Sequence, residues 1–93
     1  MNRKLKKKYK ESINQTWHQP AQIIVGKNGL STGVINEISE RLEKQSFLKV
    51  KFLRNFLTDD FEKSLEKLSR ETNAKILDKR GRTVILFRST YKQ

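Results

Sequence analysis

Gln22-Ile23-Ile24-Val25-Gly26-Lys27-Asn28-Gly29-Leu30-Ser31-Thr32-Gly33-Val34-Ile35 is the stretch on which the fold turns. Ala21 to Val25 reads as a short strand, and its Ile23-Ile24-Val25 run is apolar on both faces, the pattern of a central strand in a covered sheet. Gly26, Gly29 and Gly33 lie in the segment that joins this strand to the next helix. Ser31 is placed to cap that helix, with Leu30 before it packing on Ile35 as a hydrophobic staple. Val34, Ile35, Ile38 and Leu42 supply its buried stripe, and it should run to about Lys44.

Working outward, Leu5, Tyr9, Ile13 and Trp17 recur every four residues, which predicts one amphipathic helix. It should end near Gln19, because Pro20 disfavours helical geometry in the residue before it. Beyond the central stretch, Leu48, Val50 and Phe52 alternate with Lys49 and Lys51, a strand with one buried and one wetter face. Thr58 as N-cap with Asp59 and Asp60 behind it opens a third helix over roughly residues 59–72, with Phe61, Leu65 and Leu68 on its apolar face. Ala74 to Asp78 and Thr83 to Phe87 then form a hairpin across Lys79-Arg80-Gly81-Arg82. The expected fold is α/β, a mixed four-stranded sheet with three helices in the order αβαβαββ, all 93 residues forming a single domain.

Lys and Arg total 21 against 10 Asp and Glu, a formal charge of +11, which points to a polyanionic partner. No apolar run approaches the ~18 residues of a spanning helix, and no apolar stretch follows the N-terminal cations as in a secretory signal. The expectation is therefore a cytoplasmic protein that does not insert in membranes. The absence of Cys excludes disulfides, Cys-ligated metals and thiol catalysis, and the lone His18 is too little for a His-based metal or acid-base site. No nucleophile-base constellation can be assembled, so neither an enzyme nor a small-molecule substrate or cofactor is expected.

A strand ending in Gly26-Lys27-Asn28-Gly29 and entering a helix is suited to anions: glycine admits close backbone approach and the helix start presents unpaired N–H groups. The same tetrapeptide also fits a plain tight turn with Lys27 solvated. It lacks the Gly-Lys-Ser/Thr ending of a nucleotide-binding loop, so nucleotide hydrolysis is not expected. The opening cluster Arg3, Lys4, Lys6, Lys7, Lys8 and Lys10 is either an RNA-gripping arm, with Lys4, Lys7 and Lys8 as contacts, or the solvated face of the first helix. Trp17 either stacks on a base or belongs to the core. Arg80 and Arg82 on the hairpin either hold phosphate or keep the turn soluble. The acids gather mostly on the second and third helices, which should face away from the polyanion.

Read together, the stretch from Gln22 to Ile35 and Leu48-Lys49-Val50-Lys51 resemble the CRM domain, or YhbY family. The likeness covers nearly the whole chain, including the basic first helix and a closing apolar strand ending in Arg88. It implies a fold similar to the C-terminal domain of bacterial translation initiation factor three. It also implies RNA binding through the G-x-x-G loop and association with rRNA of large-subunit precursors. Carried over by position, the RNA-binding residues are Gly26, Lys27, Asn28 and Gly29, with Lys49 and Lys51 beside them. The chain departs from the family at Trp17-His18, where a small residue and a His are usual, and at Gln19, where a Lys usually precedes the Pro. The end of the first helix would then meet RNA differently. An integral ribosomal protein shares these charge and loop features, and an Alba-like chromatin protein shares the Gly-Lys pair after its first strand.

Overall fold

The computed structural model describes residues 3–89. Its elements are α1 (Arg3–Lys8), α2 (Lys10–Trp17), β1 (Ile23–Val25), α3 (Thr32–Lys44), β2 (Phe47–Phe52), α4 (Phe61–Thr72), β3 (Lys75–Arg80) and β4 (Thr83–Phe87). The strands form one sheet in the order β1-β2-β4-β3. β1 and β2 are parallel, while β4 runs antiparallel to both β2 and β3. The first three strands therefore point the same way, and their C-terminal ends share one end of the sheet.

Two apolar cores sandwich the sheet. On one face Ile23, Val25, Val50, Phe52, Val84 and Leu86 meet Ile35, Ile38 and Leu42 of α3 and Leu65 and Leu68 of α4. On the other, Leu77 and Ile85 meet Ile13, with Leu5, Tyr9, Trp17, Phe47 and Phe87 packed around them. The result is a three-layer α/β/α arrangement. β4 is buried on both faces, as its apolar run requires, but β1 is not. It is an edge strand, α2 packs over β2 and β4 instead, and Ile24 is left 57% exposed where a covered central strand was expected.

Local chemistry explains the boundaries. Ser31 caps α3 by accepting from the Val34 N–H at 3.2 Å. The helix expected from residue 59 is capped by Asp60, whose Oδ1 accepts from the Lys63 N–H, whereas Thr58 accepts from the N–H of Asp60, two residues too early to be the cap. Its C-terminus closes on Asn73 in the left-handed region, φ 52°, which Asn tolerates better than most residues. The first helix is interrupted at Tyr9, φ −107° and ψ 28°, where the ring lodges 5.3 Å from Phe47 and 4.8 Å from Phe87. The Tyr9 N–H still donates to Leu5 and the Ile13 N–H to Tyr9, so the break is a local kink. α2 then stops at Trp17, two residues before Gln19.

The hairpin is tighter than the sequence suggests: β3 continues to Arg80 and only Gly81 and Arg82 form the turn, with Gly81 at φ 59°. An extra residue, Leu77, sits between the pairs Ile76–Leu86 and Asp78–Ile85. This bulge turns both Leu77 and Asp78 toward α2, and it leaves Lys79 bonded to Glu62 of α4 while Arg80 lies against Trp17. Arg88 ties the end of β4 to the helices, donating to Thr72 O at 2.7 Å and to Ser39 O at 2.6 Å. Among the described residues, no helix is long and apolar enough to cross a membrane.

Candidate nucleic-acid interface

Loops that follow parallel strands collect at one end of a sheet, the usual place for a ligand in α/β folds. Here the loop after β1, the loop after β2 and the tip of the β3–β4 hairpin share that end. Gly26 to Gly29 form a turn closed by the Gly29 N–H donating to Gly26 O at 2.9 Å, and Lys27 and Asn28 stand exposed at its tip. Gly29 has φ 71°, a conformation that a side chain would strain, and a Cβ there would touch the Phe56 ring at 3.7 Å. α3 begins directly after this turn, so the positive end of its dipole adds to the charge of Lys27.

The adjoining face of the sheet carries a cross-strand row made by Ile24, Lys51, Thr83 and Arg80. Lys51 is exposed and makes no ion pair among the described residues. The Arg80 guanidinium lies 4.5 Å over the Trp17 ring with its side chain 62% exposed. Arg80 also lines a shallow hollow with Arg3, Lys7 and Lys10, which joins the sheet row to the basic surface of α1. Lys4 and Lys8 are exposed on α1 outside that hollow, and Lys8 leans on the Tyr9 ring. Basic groups thus run from the Gly26–Gly29 turn across the sheet end to the first helix.

Asp78 sits among these cations and pairs with two of them, Lys6 at 3.0 Å and Arg80 at 4.0 Å. Burial opposes its ionisation, but the Trp17 indole N–H at 2.8 Å, the Lys6 ammonium at 3.0 Å and the Lys79 backbone N–H outweigh burial and hold the carboxyl below its ordinary range. Most of the other acids lie elsewhere: Glu37, Glu40 and Glu43 on α3, Asp59 and Asp60 before α4, and Glu62, Glu66 and Glu71 on α4, across the sheet from α2, which itself carries Glu11. The α3/α4 layer is thus of mixed charge, with Arg41, Lys44, Lys63, Lys67 and Arg70 among its acids, whereas α1 and α2 are strongly basic with Glu11 as their one acid.

Two residues expected on this surface bond the protein's own backbone. The Lys49 ammonium donates to Trp17 O at 3.0 Å and Gln19 O at 2.7 Å, satisfying carbonyls at the C-terminal end of α2. Arg82 turns inward, donating to Leu53 O at 3.3 Å and Phe56 O at 2.7 Å, with its guanidinium 5.1 Å from the Phe61 ring. Trp17 packs against the second core through one part of its ring while its N–H is spent on Asp78. His18 bonds Asn14 O through Nδ1. Among the described residues no cluster of His, Cys, Asp or Glu could hold a metal ion.

Sequence reasoning passed over Arg54 and Asn55. They are exposed at the tip of a second turn, closed by the Phe56 N–H donating to Leu53 O at 3.0 Å, directly beside the first. The segment has no periodicity, so its only signal was the pair Arg54-Asn55, with a turn-forming Asn, between apolar Leu53 and Phe56.

Residues 1–88 match the CRS1/YhbY (CRM) domain. The solution structure of the hypothetical Staphylococcus aureus protein SAV1595, to which RNA binding is ascribed, superposes with a TM-score of 0.73 at 25% identity, covering 99% of this chain and 93% of that one. A match over residues 1–88 assigns the chain: it belongs to the CRS1/YhbY (CRM) domain family.

Proposed function

We propose that this chain binds RNA by its phosphate backbone, with the Gly26–Gly29 turn as the centre of the site and the basic row toward α1 as its extension. The observation that carries this reading is the placement of Lys27 and Asn28 on a glycine-bounded turn at the head of a basic strip in which Asp78 is the one acid, with most acids on the opposite layer. Phosphate recognition of this type positions a nucleic acid without reading its sequence. Lys27, Asn28, Lys51 and Arg80 are the side chains free to touch RNA at this end, and Lys4, Lys7 and Lys8 extend the footprint along α1. The family and the S. aureus relative support RNA over other polyanions.

Within this reading the RNA is rRNA of large-subunit precursors, and the protein is a cytoplasmic assembly factor with no catalytic step of its own. If about five phosphates of single-stranded RNA are engaged, log K should fall against log salt with a slope of about −3.5, and a slope near zero removes the electrostatic clamp. Gradient fractionation of lysate before and after a high-salt wash tests the biological role. Confinement to immature large subunits supports an assembly factor. Salt-resistant presence on mature ribosomes makes it a ribosomal protein, and absence from both, with preference for duplex DNA in competition, points to chromatin.

A further inference from the structure

The turn after β2 is built as carefully as the one after β1, and the two are held together. The Leu53 N–H donates to Val25 O at 2.8 Å, so the second turn starts on the backbone of the strand that leads into the first. A Cβ on Gly26 would stand 3.4 Å from Asn55 Oδ1 and 3.7 Å from Leu53, and the Phe56 ring lies against Gly29. The two turns are therefore in direct contact.

Arg82 fixes the second turn from behind. Its guanidinium is drawn inward to the carbonyls of Leu53 and Phe56, the first and last residues of that turn, and its Nε is buried with no partner. Withdrawing a guanidinium from water to bond backbone carbonyls is costly, and here it secures the shape of one four-residue turn. At the tip of that turn Arg54 is exposed and, among the described residues, carries no ion pair. A bare guanidinium held on a rigid turn beside Lys27 is suited to bidentate contact with a phosphodiester.

Resting on the RNA-binding reading above, we infer that Arg54 and Asn55 form a second jaw of the site, so that RNA backbone is gripped between the two turns, with Arg82 as the positioning residue of that jaw. Arg54 contacts a phosphate adjacent to the one at Lys27, and Asn55 offers its carboxamide to the intervening ribose or phosphate.

The test is a double-mutant cycle on the full chain with a fluorescein-labelled single-stranded RNA, read by anisotropy over a salt series. Arg54→Gln is expected to weaken binding about fivefold or more and to flatten the salt slope by about 0.7, the loss of one phosphate contact. Arg82→Lys, which keeps the charge and loses the two-pronged bond, should weaken binding in the wild-type background but add little once Arg54 is already Gln. Arg54→Gln with unchanged affinity and slope, alongside a weakened Lys27→Gln, overturns the second jaw and leaves the RNA-binding reading standing. Additive losses from Arg54→Gln and Arg82→Lys overturn the positioning role. If wild-type protein shows no salt-dependent RNA binding, both readings fall together.

Discussion

The indole N–H of Trp17 donates to the carboxylate of Asp78 across 61 residues of sequence, at 2.8 Å, and so fastens the end of α2 to the edge strand β3. Lys49 holds the same helix end from the other side through the carbonyls of Trp17 and Gln19. Trp17→Phe keeps most of the packing and removes the donor, so it should cost about 1.5–3 kcal/mol, the range for a hydrogen bond to a charged group. Urea unfolding checks this, and a change below measurement error would show that the bond contributes nothing net.

The carboxyl of Asp78 also ties stability to pH. Its folded pKa lies below the unfolded value of about 3.9, so its contribution is complete above that value and is lost as pH falls through the folded pKa. Urea midpoints of the wild type should therefore drop in acid below about pH 4, and Asp78→Asn should show a shallower drop over the same window. Parallel curves for the two proteins would contradict this assignment.

Lysines two residues apart on β2 should behave differently. Lys51→Gln combined with Lys27→Gln should weaken binding to all RNAs alike and flatten the salt slope by about 1.4, with no loss of thermal stability. Lys49→Gln should lower stability by roughly 1 kcal/mol through its lost bonds to the α2 terminus while changing the salt slope little. The pairing of melting curves with anisotropy separates the two, and an exchange of these phenotypes would reverse the assignments.

Glycines of the central stretch also divide. Gly29→Ala forces a side chain into positive φ and should destabilise by about 1–2 kcal/mol. Gly33 lies in the first turn of α3 without positive φ, where a Cβ would meet only Ser31 Oγ at 3.9 Å, so Gly33→Ala should be neutral or stabilising by up to about 1 kcal/mol. Circular-dichroism melts of the two variants decide the matter.

Arg88 is a structural cation. It bonds Thr72 O, Ser39 Oγ and Ser39 O on the α3/α4 layer, across the sheet from α1 and α2. Arg88→Gln should cost about 2–3 kcal/mol of stability and leave RNA affinity of the folded protein unchanged, whereas loss of affinity without loss of stability would move Arg88 into the binding surface.

The strand, glycine turn and helix of residues 22–44 were legible because each residue there agrees with a local rule, as Ser31 and Gly29 show. What the sequence concealed depends on partners distant along the chain. Ile24 reads as buried until the strand order makes β1 an edge. Alternation along β3 assigns faces correctly only up to Leu77, where the bulge shifts every later side chain. Lys49 and Arg82 look like surface cations because nothing local reveals that the carbonyls of Trp17, Gln19, Leu53 and Phe56 await them.

β4 occupies a position with a kinetic consequence. It follows every other element in the chain, yet it pairs with β2 on one side and β3 on the other and gives Val84 and Leu86 to one core and Ile85 to its opposite. Neither apolar layer can close before those five residues are present. A nascent chain emerging from a ribosome would hold its lysine-rich opening segment undocked until almost all of it had been synthesised, and the basic strip would come into register only in the final cooperative step.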